Sequence, residues 1–253
     1  MHETCMVNKM KIIFDILRRS DPEEEPFWQK IPYETDDMRE TVATALTRIN
    51  EAACSSDAGA GCDVDGIKIR PIRWESSCLQ KKCGACAMVI SGRPRLACDT
   101  FLKDYVKKDS GGIRLEPLSS FPVVADLLVD RSILSENLKT LRVWHEKSVS
   151  PVQKTVPDAW DASRCLQCGC CLEACPNFCP GGTFFGAAGI VPVARLLIEA
   201  PAEQRARLRE EYKTHIYNGC GKSLACENIC PAGIDINRLL SKSNAIAVWR
   251  IHG

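Results

Sequence analysis

Sixteen of the 253 residues are cysteine, and eleven of these fall into spacings that serve one kind of chemistry. The stretch CLQKKCGACAMVISGRPRLAC places Cys78, Cys83, Cys86 and Cys98 in a C-x4-C-x2-C…C array. Further on, CLQCGCCLEACP holds Cys165, Cys168, Cys171 and Cys175, with Pro176 directly after. CGKSLACENICP repeats that run 55 residues later as Cys220, Cys226, Cys230 and Pro231, but Ser223 stands where Cys168 would have its counterpart. Thiolates are soft ligands, and arrays of this kind hold iron–sulfur clusters, which pass single electrons.

The first array has the spacing of plant-type 2Fe–2S ferredoxins. Three of its thiolates come from one loop, where Gly84 permits a tight backbone, and Cys98 returns from a hairpin whose turn signal is SGRP. A zinc site or four buried thiols are the alternatives, although zinc favours paired knuckles. Lys81 and Lys82 lie inside the loop. Their charges either favour the reduced cluster and raise its potential, or belong to a solvated loop. For the two later runs, the rule of bacterial two-cluster ferredoxins applies, in which the fourth cysteine of each run serves the other cluster. One cluster then takes Cys165, Cys168, Cys171 and Cys230, enough for 4Fe–4S. The other takes Cys175, Cys220 and Cys226, with Ser223 at the empty corner, which predicts 3Fe–4S and a centre that is easier to reduce. The alternative is a fourth ligand from the Ser223 oxygen, Cys170 or Cys179. Cys5, Cys54, Cys62, Cys170 and Cys179 are otherwise expected to be plain small residues. Cys54 and Cys62 flank SSDAGAG and could form a redox pair or a metal site.

Net charge is +1, so no strong field points to nucleic acid or to an acidic membrane surface. The short basic clusters Arg18-Arg19, Lys81-Lys82 and Lys107-Lys108 read as solvated surface. The opening MHETCMVNKMKIIF lacks an apolar core of about 7–15 residues behind a basic start, so no export signal is expected. No stretch reaches the ~18 apolar residues of a membrane span. A reducing compartment follows as the expectation, where dense cysteine means metal more often than disulfide. None of the four histidines sits at a zinc-like spacing to a cysteine pair.

The elements that must position these thiols fall into two parts. KIIFDILRR and FWQKIPYET read as strands either side of an acidic turn. Residues 36–53 have helical spacing, with Asp36 or Asp37 as N-cap. A small-residue loop, CSSDAGAGCDVDG, leads to a strand at IKIRPIRW. Residues 113–134 read as a bridge. Beyond them SENLKTLRVWHEK, VPVARLLIEA, AEQRARLREEYKTHI and DINRLLSKSNAIAVW are helical, separated by cysteine loops. The expected class is α+β, with a first domain over 1–125 and an all-α domain over 126–253.

A plant-type 2Fe–2S domain followed by a helical 4Fe–4S and 3Fe–4S domain resembles the iron–sulfur subunit of succinate dehydrogenase and fumarate reductase. SSCLQKKCGACAMVISGRPRLAC, FPVVADLLVDRS, CLQCGCCLEACP, FFGAAG and CGKSLACENICPAG carry the resemblance, which extends from about residue 10 to 240. It implies a β-grasp ferredoxin domain and then a bacterial-ferredoxin-like helical domain. It also implies a flavoprotein subunit whose FAD handles succinate and fumarate, and a membrane anchor subunit where quinone binds. The chain itself would span no membrane and would sit peripherally on the cytoplasmic face, held by its partners. No G-x-G-x-x-G fingerprint and no acid–base constellation for a carbon substrate is present, which fits a relay.

Two features depart from ubiquinone-type members of that family. Those resemble one another in a tryptophan-containing stretch after the cysteine matching Cys175 and in a histidine after the one matching Cys220. Here the stretch is PNFCPGGTFF, without tryptophan, and Gly221 follows Cys220. The departures favour menaquinone over ubiquinone. They also keep open a soluble complex with a thiol-oxidising or other non-quinone partner, and a free-standing carrier is the reading from another class. The aromatic and glycine-rich stretch 178–191 is a candidate anchor-facing surface, with ordinary core packing as its alternative.

Overall fold

The computed structural model describes residues 9–37, 39–57, 59–106, 112–146 and 157–249. Cys5, His2, His252, Met38 and the Lys107-Lys108 pair lie outside the described residues. The chain divides into two compact units, Met1–Ser119 with Val123–Val129, and Ser120–Pro122 with Asp130–Gly253.

The first unit is a mixed five-stranded sheet. Its strands are β1 (Met10–Arg18), β2 (Phe27–Thr35), β3 (Ala87–Ile90), β4 (Arg93–Leu96) and β5 (Ile113–Glu116), in the order β2-β1-β5-β3-β4. β1 runs parallel to β5, and the other pairings are antiparallel. Pro32 and Pro94 lie in β2 and β4, the two edge strands, where a missing N–H costs no ladder bond. Alternation turns Ile12, Phe14 and Ile16 of β1 inward, and α1 (Val42–Cys54) buries Val42, Ala45, Leu46 and Ile49 on one face. Ser91 and Gly92, both in the left-handed region at φ 47° and 77°, close the β3–β4 hairpin that leads to Cys98. The short α2 (Lys103–Val106) precedes β5.

Several expectations are corrected here. Residues 113–116 are no bridge; they form the central strand β5, because their buried Ile113 and Leu115 fit between β1 and β3. α1 starts at Val42, with the Thr41 side chain accepting from the Thr44 N–H, whereas Asp37 accepts from Arg39 N in a preceding turn. IKIRPIRW forms no regular strand. Pro71 interrupts it, and other partners satisfy its backbone: Asn50 bonds Ile72 at both N and O, Asp126 accepts from Arg73 N, and Gly61 O accepts from Ile69 N.

Arg18 is not a surface residue. It follows Ile12, Phe14 and Ile16 in phase on β1 and is fully buried. Its Nε donates to Asp126 Oδ1 at 3.0 Å, and its other nitrogens donate to Gln29 Oε1 at 2.9 Å and Arg70 O at 2.9 Å. Asp126 caps the hairpin of β6 (Val123–Ala125) and β7 (Leu128–Val129). Its carboxylate also accepts from Arg70, Arg19 N and Arg73 N. One buried charge thus ties the end of β1, the irregular segment and the β6–β7 hairpin together.

The second unit is helical: α3 (Ser132–Thr140), α4 (Pro157–Ser163), α5 (Cys170–Glu173), α6 (Gly186–Glu199), α7 (Ala202–His215), α8 (Ala225–Ile229) and α9 (Ile236–Asn244), followed by a π-helical turn over Ala245–Trp249. α6 is its centre. Ten of its residues are buried, so it is apolar almost all round, as a helix enclosed by others must be. α7 is largely polar and buries only Gln204, Leu208 and Tyr212, a stripe at four-residue spacing. Tyr212 joins Asn244 of α9 through a 2.7 Å hydrogen bond. The expected helix over SENLKTLRVWHEK stops at Thr140, and Leu141 enters the core instead. Phe184 and Phe185 are also buried, so core packing accounts for much of the stretch 178–191. No helix among the described residues is long and apolar enough to cross a membrane.

Replacing Asp126 with Asn leaves the buried Arg18 guanidinium without its counter-charge. The expected loss is about 3–5 kcal/mol, read as a lower urea midpoint for the transition of the sheet followed by circular dichroism. An unchanged midpoint would show that the network contributes little.

Candidate iron–sulfur sites

The loop between the irregular segment and β3 delivers Cys78, Cys83 and Cys86. It bends through left-handed residues at Leu79, Lys81 and Gly84, with φ of 51°, 59° and 77°. That winding turns backbone N–H groups inward. Gln80 N and Lys82 N donate to Cys78 Sγ at 3.3 and 3.4 Å, Lys81 N donates to Cys98 Sγ at 3.3 Å, and Ala85 N donates to Cys83 Sγ at 3.5 Å. The two N–H groups on Cys78 bring its thiol down to about 7. Burial pushes the Cys86 thiol up to about 12, with the nearby sulfurs of Cys98 and Cys83 adding to the effect. The four expected residues therefore stand together, in a cradle of N–H donors that suits a negatively charged iron–sulfide core.

Lys81 spans this loop in a second way. Its ammonium pairs with Asp99 at 2.7 Å, directly after Cys98. The cation proposed to favour reduction is thus partly offset by the anion it pairs with.

In the helical unit, Cys165, Cys168, Cys171 and Cys230 line one apolar cavity with Ala187, Val191 and Ile234. Burial holds the Cys171 thiol well above its ordinary value, and the sulfurs of Cys168, Cys165, Cys226 and Cys230 add to this. The donor set and the dry walls fit a 4Fe–4S cluster. Gly169, at φ 87°, starts α5 between Cys168 and Cys170. Cys170 is fully buried; its thiol is raised by a hydrogen bond with Cys168, which is correspondingly brought down to about 7. Arg131 donates to Cys168 O at 3.4 Å. The Gln167 side chain donates to Cys165 Sγ at 3.2 Å.

The remaining three thiols form a neighbouring group. Burial pushes Cys226 up to about 11, and Cys175 and Cys220 push in the same direction. Ser223 is exposed, between Lys222 and Leu224, both left-handed at φ 55° and 57°. The approach to Cys220 is crowded. A Cβ on Gly219 would lie 2.5 Å from the Phe184 ring, and one on Gly221 would lie 3.0 Å from Asn177 Oδ1. Cys179 is exposed, and Cys54 and Cys62 are free thiols of the first unit. No three or more histidine, cysteine, aspartate or glutamate side chains among the described residues close around a single metal ion. A cluster, with several irons between its ligands, asks for a wider cage.

Asp99, Arg131 and Gln167 are neighbours of the thiols that the sequence does not single out. Asp99 and Gln167 carry only the signal of adjacency to a ligand cysteine, which does not say where a side chain turns, and Arg131, distant in the chain, carries none.

Neutralising Asp99 in Asp99→Asn leaves Lys81 uncompensated and is expected to raise the 2Fe–2S midpoint potential. Lys81→Gln is expected to lower it. A potentiometric titration followed by paramagnetic resonance reads both, and equal midpoints in the two variants would remove the pair from any role in tuning.

Comparison with known proteins agrees with this geometry. Residues 13–136 match the model of a 2Fe-2S iron-sulfur cluster binding domain, and residues 161–234 match that of a 4Fe-4S dicluster domain. The chain is 33% identical to the succinate dehydrogenase iron-sulfur subunit of Bacillus subtilis, over 94% of this chain and 93% of that one. It is 31% identical to the fumarate reductase iron-sulfur subunit of Wolinella succinogenes, over 65% and 73%. Its fold matches a chain of the Mycobacterium smegmatis Sdh1 complex in the apo form with a TM-score of 0.71 at 19% identity, covering 94% and 97%. The chain belongs to the family of succinate dehydrogenase and fumarate reductase iron–sulfur subunits, the electron relays of oxidoreductase complexes.

Proposed function

We propose that the chain relays electrons through three centres between a flavoprotein subunit and a membrane quinone. A 2Fe–2S cluster is held by Cys78, Cys83, Cys86 and Cys98 in the first domain. A 4Fe–4S cluster is held by Cys165, Cys168, Cys171 and Cys230, and a 3Fe–4S cluster by Cys175, Cys220 and Cys226. When bound, these clusters supply one-electron carriers. The protein's own residues donate N–H groups to sulfur, set the charge around each and, at the Cys165–Cys230 group, supply apolar walls.

The observation that supports this reading is that Cys230 lines one cavity with Cys165, Cys168 and Cys171, while Cys226 has Cys175 and Cys220 beside it. Exposed Ser223 leaves the second group with three thiols. The FAD of the flavoprotein partner would exchange electrons with succinate or fumarate, as the relatives' names imply. An anchor subunit would hold the chain at the cytoplasmic face of the membrane. Menaquinone is the favoured acceptor or donor. Asn177 occupies the space over Gly221 where a histidine side chain of ubiquinone-type members would have to stand.

Paramagnetic resonance on anaerobically prepared, oxidised protein tests the three-iron site, because an oxidised 3Fe–4S centre has an unpaired spin and the other two do not. The expected result is about one spin and roughly nine irons per chain. In Ser223→Cys the signal should disappear as about one further iron binds. A silent wild-type protein with roughly ten irons would overturn the assignment. Co-purification of the chain with an apolar subunit in detergent tests the anchor. A purely soluble complex would favour a non-quinone partner.

A further inference from the structure

We propose that Gln167 is a positioning residue that raises the reduction potential of the 4Fe–4S centre, and that Pro192 holds it in place. The inference rests on the assignment of Cys165 to that centre.

Three local costs meet at this side chain. Gln167 has φ 49°, a left-handed conformation that a glycine or asparagine would adopt more easily. Its Oε1 is buried without a hydrogen-bond partner. Pro192 lies inside α6, where helices otherwise exclude proline. The three are linked. Proline has no N–H, so Pro192 cannot give the carbonyl four residues earlier its helical hydrogen bond. That carbonyl belongs to Ala188, and Gln167 Nε2 donates to it at 3.1 Å. The same nitrogen donates to Cys165 Sγ at 3.2 Å. Both partners are acceptors, which fixes the orientation of the amide: a flipped amide would point Oε1 at a carbonyl and a sulfur. One N–H is anchored by the helix, and the other is thereby aimed at the ligand sulfur.

A hydrogen bond to a ligand sulfur is worth more when the cluster gains an electron, because the sulfur then carries more negative charge. Donation from Gln167 therefore favours the reduced form. Ala187, Ala188 and Val191 wall the same cavity, so water is poorly placed to replace the donor.

The test is a potentiometric titration of the whole protein, with the reduced 4Fe–4S signal as readout and iron quantified. Gln167→Leu should move the midpoint to a more negative potential and leave the 2Fe–2S midpoint unmoved. Pro192→Ala gives Ala188 a competing backbone donor and should cause a smaller shift of the same sign. Because both act through one hydrogen bond, the double variant should match Gln167→Leu rather than the sum of the two. Pulsed resonance after exchange into deuterium oxide should show a deuteron coupling to the cluster that is absent from Gln167→Leu. If Gln167→Leu assembles no cluster, Gln167→Met keeps the length without the donor and should show the same shift. Full iron with an unmoved midpoint in Gln167→Leu or Gln167→Met overturns the proposal alone. Absence of a reduced 4Fe–4S signal in the wild-type protein overturns the ligand assignment with it.

Discussion

Sulfur ligands carry negative charge, and a cluster gathers several of them in one place. Burial first and mutual repulsion second disfavour their ionised form, and both hold the Cys171 and Cys226 thiols above their ordinary value. The structure must therefore hold them together from distant points in the chain and supply compensating positive potential. The two units do this differently. In the first, a loop wound through left-handed residues aims backbone N–H groups at Cys78, Cys83 and Cys98. In the second, short helices set the cysteines around an apolar cavity, and side chains from neighbouring elements supply the polar contacts.

Rigid surroundings make those placements hold. The sheet ends its first strand on a buried arginine, and Asp126 collects donors from Arg18, Arg19, Arg70 and Arg73. Breaking such a pair is far more costly than its net contribution suggests, because one charge would remain buried without a partner. That network fixes the irregular segment which runs directly into the Cys78 loop. In the helical unit α6 has the same role through packing: its buried residues face the cluster cavity on one side and the core around Leu208 and Tyr212 on the other. Each buried isoleucine or leucine there contributes roughly 1.5–3 kcal/mol.

Much was legible before the structure. The β1–β2 hairpin, the SGRP turn, α6, α7 and α9 follow from periodicity and turn chemistry, because those elements satisfy their hydrogen bonds locally. Segment 67–74 was misread as a strand, since alternation of apolar residues reports burial and not who accepts the backbone hydrogen bonds. β5 was missed because its partners are β1 and β3, far away in the chain. Arg18 looked like surface for a related reason: a charged residue in phase with the core is tolerated only when a distant carboxylate meets it.

The sequence by itself carried the 2Fe–2S and 4Fe–4S signatures, since cysteine number and spacing limit which thiolates one loop can present, and its 55-residue repeat marks Ser223 as the one position where a cysteine is replaced. It determined the family as well, through those same motifs. Only the tertiary structure decided what surrounds each sulfur. Whether Lys81 acts as a free cation or a paired one depends on Asp99, and whether Ala188 accepts from its own helix or from Gln167 depends on Pro192. Ligand geometry is local and short-ranged, so spacing encodes it. Electrostatic and hydrogen-bond surroundings are set by groups that meet only after the chain has folded.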